Sequence, residues 1–113
     1  MTKTKTSDAL TMLLGPSTTI EGIIEFKDTV RLEGNVNGKI SSDEGTVIIG
    51  EMAEVQGEIK VGVAIIRGKV KGKIDAQKRI EVYPPGRIEG DIQSPAVMIQ
   101  SGVIFNGNCS MKV

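Results

Sequence analysis

Histidine and tryptophan are absent from this sequence, aromatic residues make up 3% of it, and cysteine occurs once. Without histidine the chain lacks the side chain that most often serves as a general acid or base near neutral pH. With so few rings, a core built around large aromatic side chains is excluded. A single cysteine, Cys109, cannot close an internal disulfide, and no Cys/His cluster is present to hold zinc. No run of about 18 apolar residues occurs, and no apolar stretch ends in a signal cleavage site. The chain therefore reads as intracellular and not membrane-spanning.

Net charge is missing too. Fourteen Lys and Arg balance fourteen Asp and Glu, so no overall field draws the chain toward nucleic acid, and one barrier to self-association is removed. No glycine loop with a following lysine opens a helix to cradle phosphate, and no aromatic platform stacks bases. Ser41-Ser-Asp-Glu-Gly45 reads as a solvated turn without the ligands of a calcium loop. No cofactor, metal or nucleic acid is expected.

What is present is Ile, Val and 14 Gly in a repeating order. The motif apolar-x-Gly-x-apolar occurs six times, as Ile20-Glu-Gly22-Ile-Ile24, Val36-Asn-Gly38-Lys-Ile40, Val55-Gln-Gly57-Glu-Ile59, Val70-Lys-Gly72-Lys-Ile74, Ile88-Glu-Gly90-Asp-Ile92 and Phe105-Asn-Gly107-Asn-Cys109. Between the copies runs a second series, Val30-Arg-Leu32, Val47-Ile-Ile49, Val63-Ala-Ile65, Ile80-Glu-Val82 and Val97-Met-Ile99. The glycines advance by 16, 19, 15, 18 and 17 residues, and the second series by 17, 16, 17 and 17. A repeat this short holds two or three strands and no helix.

Side chains alternate along a strand, so the apolar residues and the glycine of each motif are expected to share the inner face. The positions between them form outward columns that are polar in all rungs but one, the exception being Ile23. Two residues before each motif stands a column of mostly small residues, Gly34, Ala53, Gly68 and Gly86 among them and ending in Val103, suited to a tight corner. Stacked rungs about 4.8 Å apart would build a rod roughly 29 Å long filled with Ile and Val.

Such stacking sets Glu58 beside Lys73, Lys73 beside Asp91 and Lys71 beside Glu89. Each exposed pair contributes only about 0.2 to 1 kcal/mol, and its larger effect is on register. An antiparallel sandwich also alternates and turns at glycine, but two interleaved series on one beat favour a solenoid. The predicted fold is all-β, a right-handed parallel β-helix of about six rungs. The uneven steps favour the right-handed form over the stricter left-handed hexapeptide helix. Residues 1–16 are expected to form a flexible N-terminal tail, and 17–113 the β-helical domain.

Four segments, Thr29-Val-Arg-Leu-Glu-Gly-Asn-Val-Asn-Gly-Lys-Ile40, Gly45-Thr-Val-Ile-Ile-Gly50, Arg79-Ile-Glu-Val-Tyr-Pro-Pro-Gly86 and Gly102-Val-Ile-Phe-Asn-Gly-Asn-Cys-Ser-Met111, together resemble the bactofilins, bacterial cytoskeletal proteins. The resemblance implies a right-handed β-helix that polymerises end to end, without nucleotide, into non-polar filaments. It further implies a place on the inner face of the membrane, a role in cell shape or envelope-linked machinery, and no enzyme activity. Hexapeptide-repeat acyltransferases share the solenoid, but they rely on a catalytic histidine that is absent here.

An open solenoid leaves its terminal rungs with unpaired backbone and uncovered apolar side chains. The expected polymer contacts are therefore Ile20, Ile23 and Ile24 in the first rung, with Val103, Ile104, Phe105 and Met111 at the last. Phe105 also fits a plain role as a core plug. Cys109, on the last inward position, reads as a small buried hydrophobe. In the tail, Leu10, Met12, Leu13 and Leu14 behind Lys3 and Lys5 form a candidate membrane contact too short to span a bilayer. The expected partners are further copies of the chain, the inner membrane surface and cell-wall or morphogenesis proteins. The competing reading is a non-polymerising dimeric adaptor that binds another cytoskeletal or division protein.

Overall fold

The computed structural model describes the backbone of residues 2–5, 11–14 and 19–111, and side chains over 19–111. Among these residues eleven strands succeed one another: β1 (Thr2–Lys5), β2 (Thr11–Leu14), β3 (Thr19–Glu25), β4 (Thr29–Leu32), β5 (Asn35–Ser41), β6 (Thr46–Ile49), β7 (Glu54–Ile66), β8 (Lys69–Val82), β9 (Arg87–Ser94), β10 (Val97–Ile99) and β11 (Ile104–Met111). Every pairing among them is parallel. One ladder runs β1, β3, β5, the first half of β7, the first half of β8, β9 and β11. The other runs β2, β4, β6, the second halves of β7 and β8, and β10. The chain passes from one ladder to the other in each rung, which makes a β-solenoid of about 5 turns.

The six glycine motifs stack in register, with Gly22, Gly38, Gly57, Gly72, Gly90 and Gly107 as direct neighbours. Their role differs from the interior one expected for them. All six have φ between 129° and 148°, and from Gly38 onward a Cβ would lie 1.7 to 2.0 Å from the carbonyl oxygen of the glycine one rung earlier. The missing side chain would thus point along the stacking axis into the neighbouring backbone and not into the core. Only glycine permits this conformation at this separation.

The flanking apolar residues do fill the interior. Val36, Val55, Val70 and Ile88 form one buried column, and Ile24, Ile40, Ile59, Ile74 and Ile92 another. The corner column is as expected: Gly34, Ala53, Gly68 and Gly86 are buried. Their carbonyls accept from the N–H of Glu54, Lys69, Arg87 and Ile104 in the next rung, at 2.9 to 3.2 Å. Outside, the registers Glu58–Lys73, Lys73–Asp91 and Lys71–Glu89 are present.

One copy of the second series sits one residue later than its sequence pattern implies. Val47 stacks on Ala64 and Ile80, and Ile49 on Ile66 and Val82, so the inward pair of that rung is Ala64 and Ile66. Val61 and Ala64 are both buried although three residues apart, so the inward parity changes within β7, where the β7–β8 register also shifts: Gly62 alone lies opposite Gln77 and Lys78, between the pairs Val61–Ala76 and Val63–Arg79. Because Val61 to Ile66 is almost uniformly apolar, no polar residue betrays the slip.

Candidate self-assembly surface at the C-terminal end

The last rung ends the core without a cover. β11 pairs with β9 and β10 with β8, and no further strand lies on either among the described residues. Inward side chains there stack on a buried partner below, and among the described residues on nothing above: Phe105 on Ile88, Cys109 on Ile92, Val97 on Ile80, Ile99 on Val82. Val97, Val103 and Phe105 are partly buried against the core, while Ile99 is 40% and Met111 61% exposed. The result is an open cross-section of the hydrophobic interior beside the unpaired edge of β11.

Of the residues expected at this end, Val103 and Phe105 thus contribute half-covered apolar surface, and Ile104, at 51% exposure, and Met111 contribute exposed surface. At the other end, Ile23 lies on the outer face, 41% exposed. Ile20 and Ile24 differ from expectation: they are core side chains, and Ile24 is fully buried. Backbone pairing also continues past β3, with Thr2–Lys5 alongside Gly22 to Glu25 and Thr11–Leu14 alongside Thr29 to Leu32. Leu10 lies outside the described residues, as do the side chains of Lys3, Lys5, Met12, Leu13 and Leu14.

Cys109 is exposed, not buried. Its position is the inward one foreseen, but no seventh rung covers it among the described residues. Val97, Ile99 and Cys109 therefore join the surface, although alternation alone assigns them to the core. Each is the last member of an apolar column, which is the signal that would have found them.

Charge supplies a second signal. From Ile92 to Met111 there is no charged side chain, in a chain that is 25% charged. Such a surface meets a copy of itself without like-charge repulsion and without stranding an unpaired charge on burial. Elsewhere the outside is charged, with an Arg87–Glu89 contact of 3.9 Å along β9.

On the flank, Tyr83 and Arg79 both donate to the carboxylate of Glu81, and the Arg67 guanidinium lies 5.2 Å from the Tyr83 ring centroid. The Tyr83 hydrogen bond, with that of Arg79 as the second cause, holds the Glu81 carboxyl below its ordinary range. In turn, the bond to Glu81 raises the Tyr83 hydroxyl.

Comparison with known proteins places these features in a family context. Residues 12–110 match the family model described as "Bactofilin: Polymer-forming cytoskeletal". Bactofilin BacO of Myxococcus xanthus is 33% identical over 99 residues, which cover 88% of this chain and 78% of the relative. Bactofilin BacP of the same organism is 32% identical over 99 residues, but the match spans only 41% of BacP. Among solved structures, the fold matches a bactofilin from double helical filaments of Thermus thermophilus. That match has a TM-score of 0.80 and 29% identity, and covers 87% of this chain and 96% of that one. The cytoskeletal bactofilin BacA, determined by solid-state NMR, matches with a TM-score of 0.75 and 25% identity, covering 91% and 98%.

Proposed function

This chain belongs to the bactofilin family, and on that premise we propose that it is a structural protein whose copies join end to end, without nucleotide, into non-polar filaments. The observation that carries the reading is the end formed by β10 and β11, which among the described residues is uncovered and carries no charged side chain from Ile92 to Met111. An end that matches itself pairs about a two-fold axis, C-terminal tip to C-terminal tip. The opposite ends must then pair likewise, and a filament built so has no direction. No chemical step is assigned to the chain; it acts as a scaffold and not as an enzyme.

The proposal extends to the inner membrane surface, where such filaments support cell shape or envelope-linked machinery and recruit cell-wall or morphogenesis proteins. Lys3, Lys5, Leu10, Met12, Leu13 and Leu14 are the proposed membrane contact. Each copy binds weakly, and a filament multiplies the effect.

High-speed sedimentation of the purified chain in nucleotide-free buffer tests the assembly. Pelleting that rises with protein concentration is expected. A discrete dimer at every concentration contradicts filament formation and supports the adaptor reading. For the membrane, the full chain should co-sediment with anionic vesicles more than a chain beginning at Ser17. Equal co-sedimentation removes the tail from the account.

A further inference from the structure

The two ends of the interior are not alike. Three inward columns begin at Ile24, Val30 and Leu32 and end at Cys109, Val97 and Ile99. The first members have no exposed surface, whereas Val97 is half-buried, Ile99 is 40% exposed and Cys109 is exposed. What lies over the first members is the chain itself. β1 pairs with β3 from Gly22 to Glu25, and β2 with β4 from Thr29 to Leu32. Ile20 precedes the first of these pairs and keeps 8% exposure.

Spacing agrees with this placement. Met12 stands 18 residues before its register partner Val30, and Leu14 stands 18 before Leu32, within the 15 to 19 by which the rungs advance. The added rung is nevertheless a weak one. β1 and β2 have four residues each, where β3 has seven, and the register position over Ile24 belongs to Thr4 and not to Ile or Val. Fewer backbone pairs and a polar residue type in an apolar column make it easier to displace than a full rung.

We propose that Thr2–Lys5 and Thr11–Leu14 form a removable cap on the N-terminal end of the solenoid. The edges of β3 and β4 pair with one strand each on that side, so β1 and β2 hold the places that the N-terminal end of a second copy needs. While the cap is seated, growth stops at two copies joined through their C-terminal ends. Once it leaves, the N-terminal ends join and the filament extends. In solution a rising concentration of copies displaces the cap by mass action. The cap also carries the proposed membrane contact, so a membrane that binds this segment frees the end and favours elongation where filaments attach. The inference rests on the end-joining reading and on that contact.

Register neighbours on parallel strands lie about 4.8 Å apart, within reach of a disulfide, and Leu13 and Arg31 are such neighbours. Leu13→Cys with Arg31→Cys, in a chain that also carries Cys109→Ser, gives one protein whose cap is tied when oxidised and free when reduced. Circular dichroism checks the fold, and mass spectrometry the bond. Wild type and the reduced chain should form filaments in negative stain, and the oxidised chain nothing larger than a dimer by sedimentation velocity at the same concentrations. Co-sedimentation of the oxidised chain with anionic vesicles should fall at least about tenfold below that of the reduced chain.

A bond that does not form under mild oxidation, or oxidised filaments as long as the reduced ones, overturns the proposal. Equal vesicle binding by the two states, or none by either, overturns it whether or not filaments form. If the bond forms while wild type and the reduced chain make no filaments, the end-joining reading fails by itself, and the tenfold loss of vesicle binding on oxidation still supports the cap.

Discussion

The Cβ that Gly72 lacks would lie 2.0 Å from the carbonyl oxygen of Gly57. Gly72 has a φ of 129°, and the obstacle is backbone held by the ladder, so neither partner can yield cheaply. Gly50 offers the contrast, because its Cβ would meet the carboxylate end of Glu33, a side chain free to swing away. Gly72→Ala should lower stability by about 2 kcal/mol or more, and Gly50→Ala by less than about 1 kcal/mol. Thermal or denaturant unfolding monitored by circular dichroism measures both; equal losses contradict the assignment.

Ser94 is fully buried and its Oγ has no hydrogen-bond partner among the described residues. It lies two residues beyond Ile92 on the inner face of β9, with Met111 as its register neighbour in the last rung. Removing an unpaired buried hydroxyl ends a desolvation penalty and leaves almost no cavity. Ser94→Ala should leave stability unchanged or raise it by up to about 1 kcal/mol. A clear loss in the same unfolding measurement would mean that the hydroxyl has a partner.

Tyr83 is the only tyrosine and tryptophan is absent, so tyrosinate absorbance reports this one group. Its O–H donates to Glu81, which favours the protonated phenol and raises its pKa above the ordinary value. The ionisation midpoint should therefore lie above that value, and Glu81→Gln should bring it down. The resulting stability is present below the ordinary tyrosine pKa and lost as pH rises through the raised one. For Glu81 the sign is opposite: the depressed carboxyl contributes above its unfolded pKa, and the contribution is lost as pH falls through the folded one. A midpoint at or below the ordinary value contradicts the hydrogen bond.

Much of this architecture is legible in the sequence because each rung repeats the same local problem. The Gly22 to Gly107 series fixes the register of six strands, since a slip of one residue would drive a Cβ into backbone. Where no such marker exists, the pattern misleads. At Val63 an apolar run conceals the change of parity that makes Ala64 and Ile66 the inward pair. The role of the glycines is also hidden, because inward and axial directions look alike in a pattern of alternation.

Cys109 shows a different gap. Its column predicts where the side chain points, but exposure depends on whether another rung covers it, which no local pattern states. The contact of Arg67 with Tyr83 is out of reach for a related reason: the two residues become neighbours only through stacking, at a register that the slipped series blurs.

The central claim is that the open cross-section around Phe105 joins copies end to end, and Phe105→Arg tests it most directly. A guanidinium at that position is solvated on an open end and costly in a closed one, so the fold should survive while the joint does not. Negative-stain microscopy of the wild-type chain, without nucleotide, should show filaments, and of the variant only short soluble particles with β-rich circular dichroism. Filaments of undiminished length from Phe105→Arg would contradict the account.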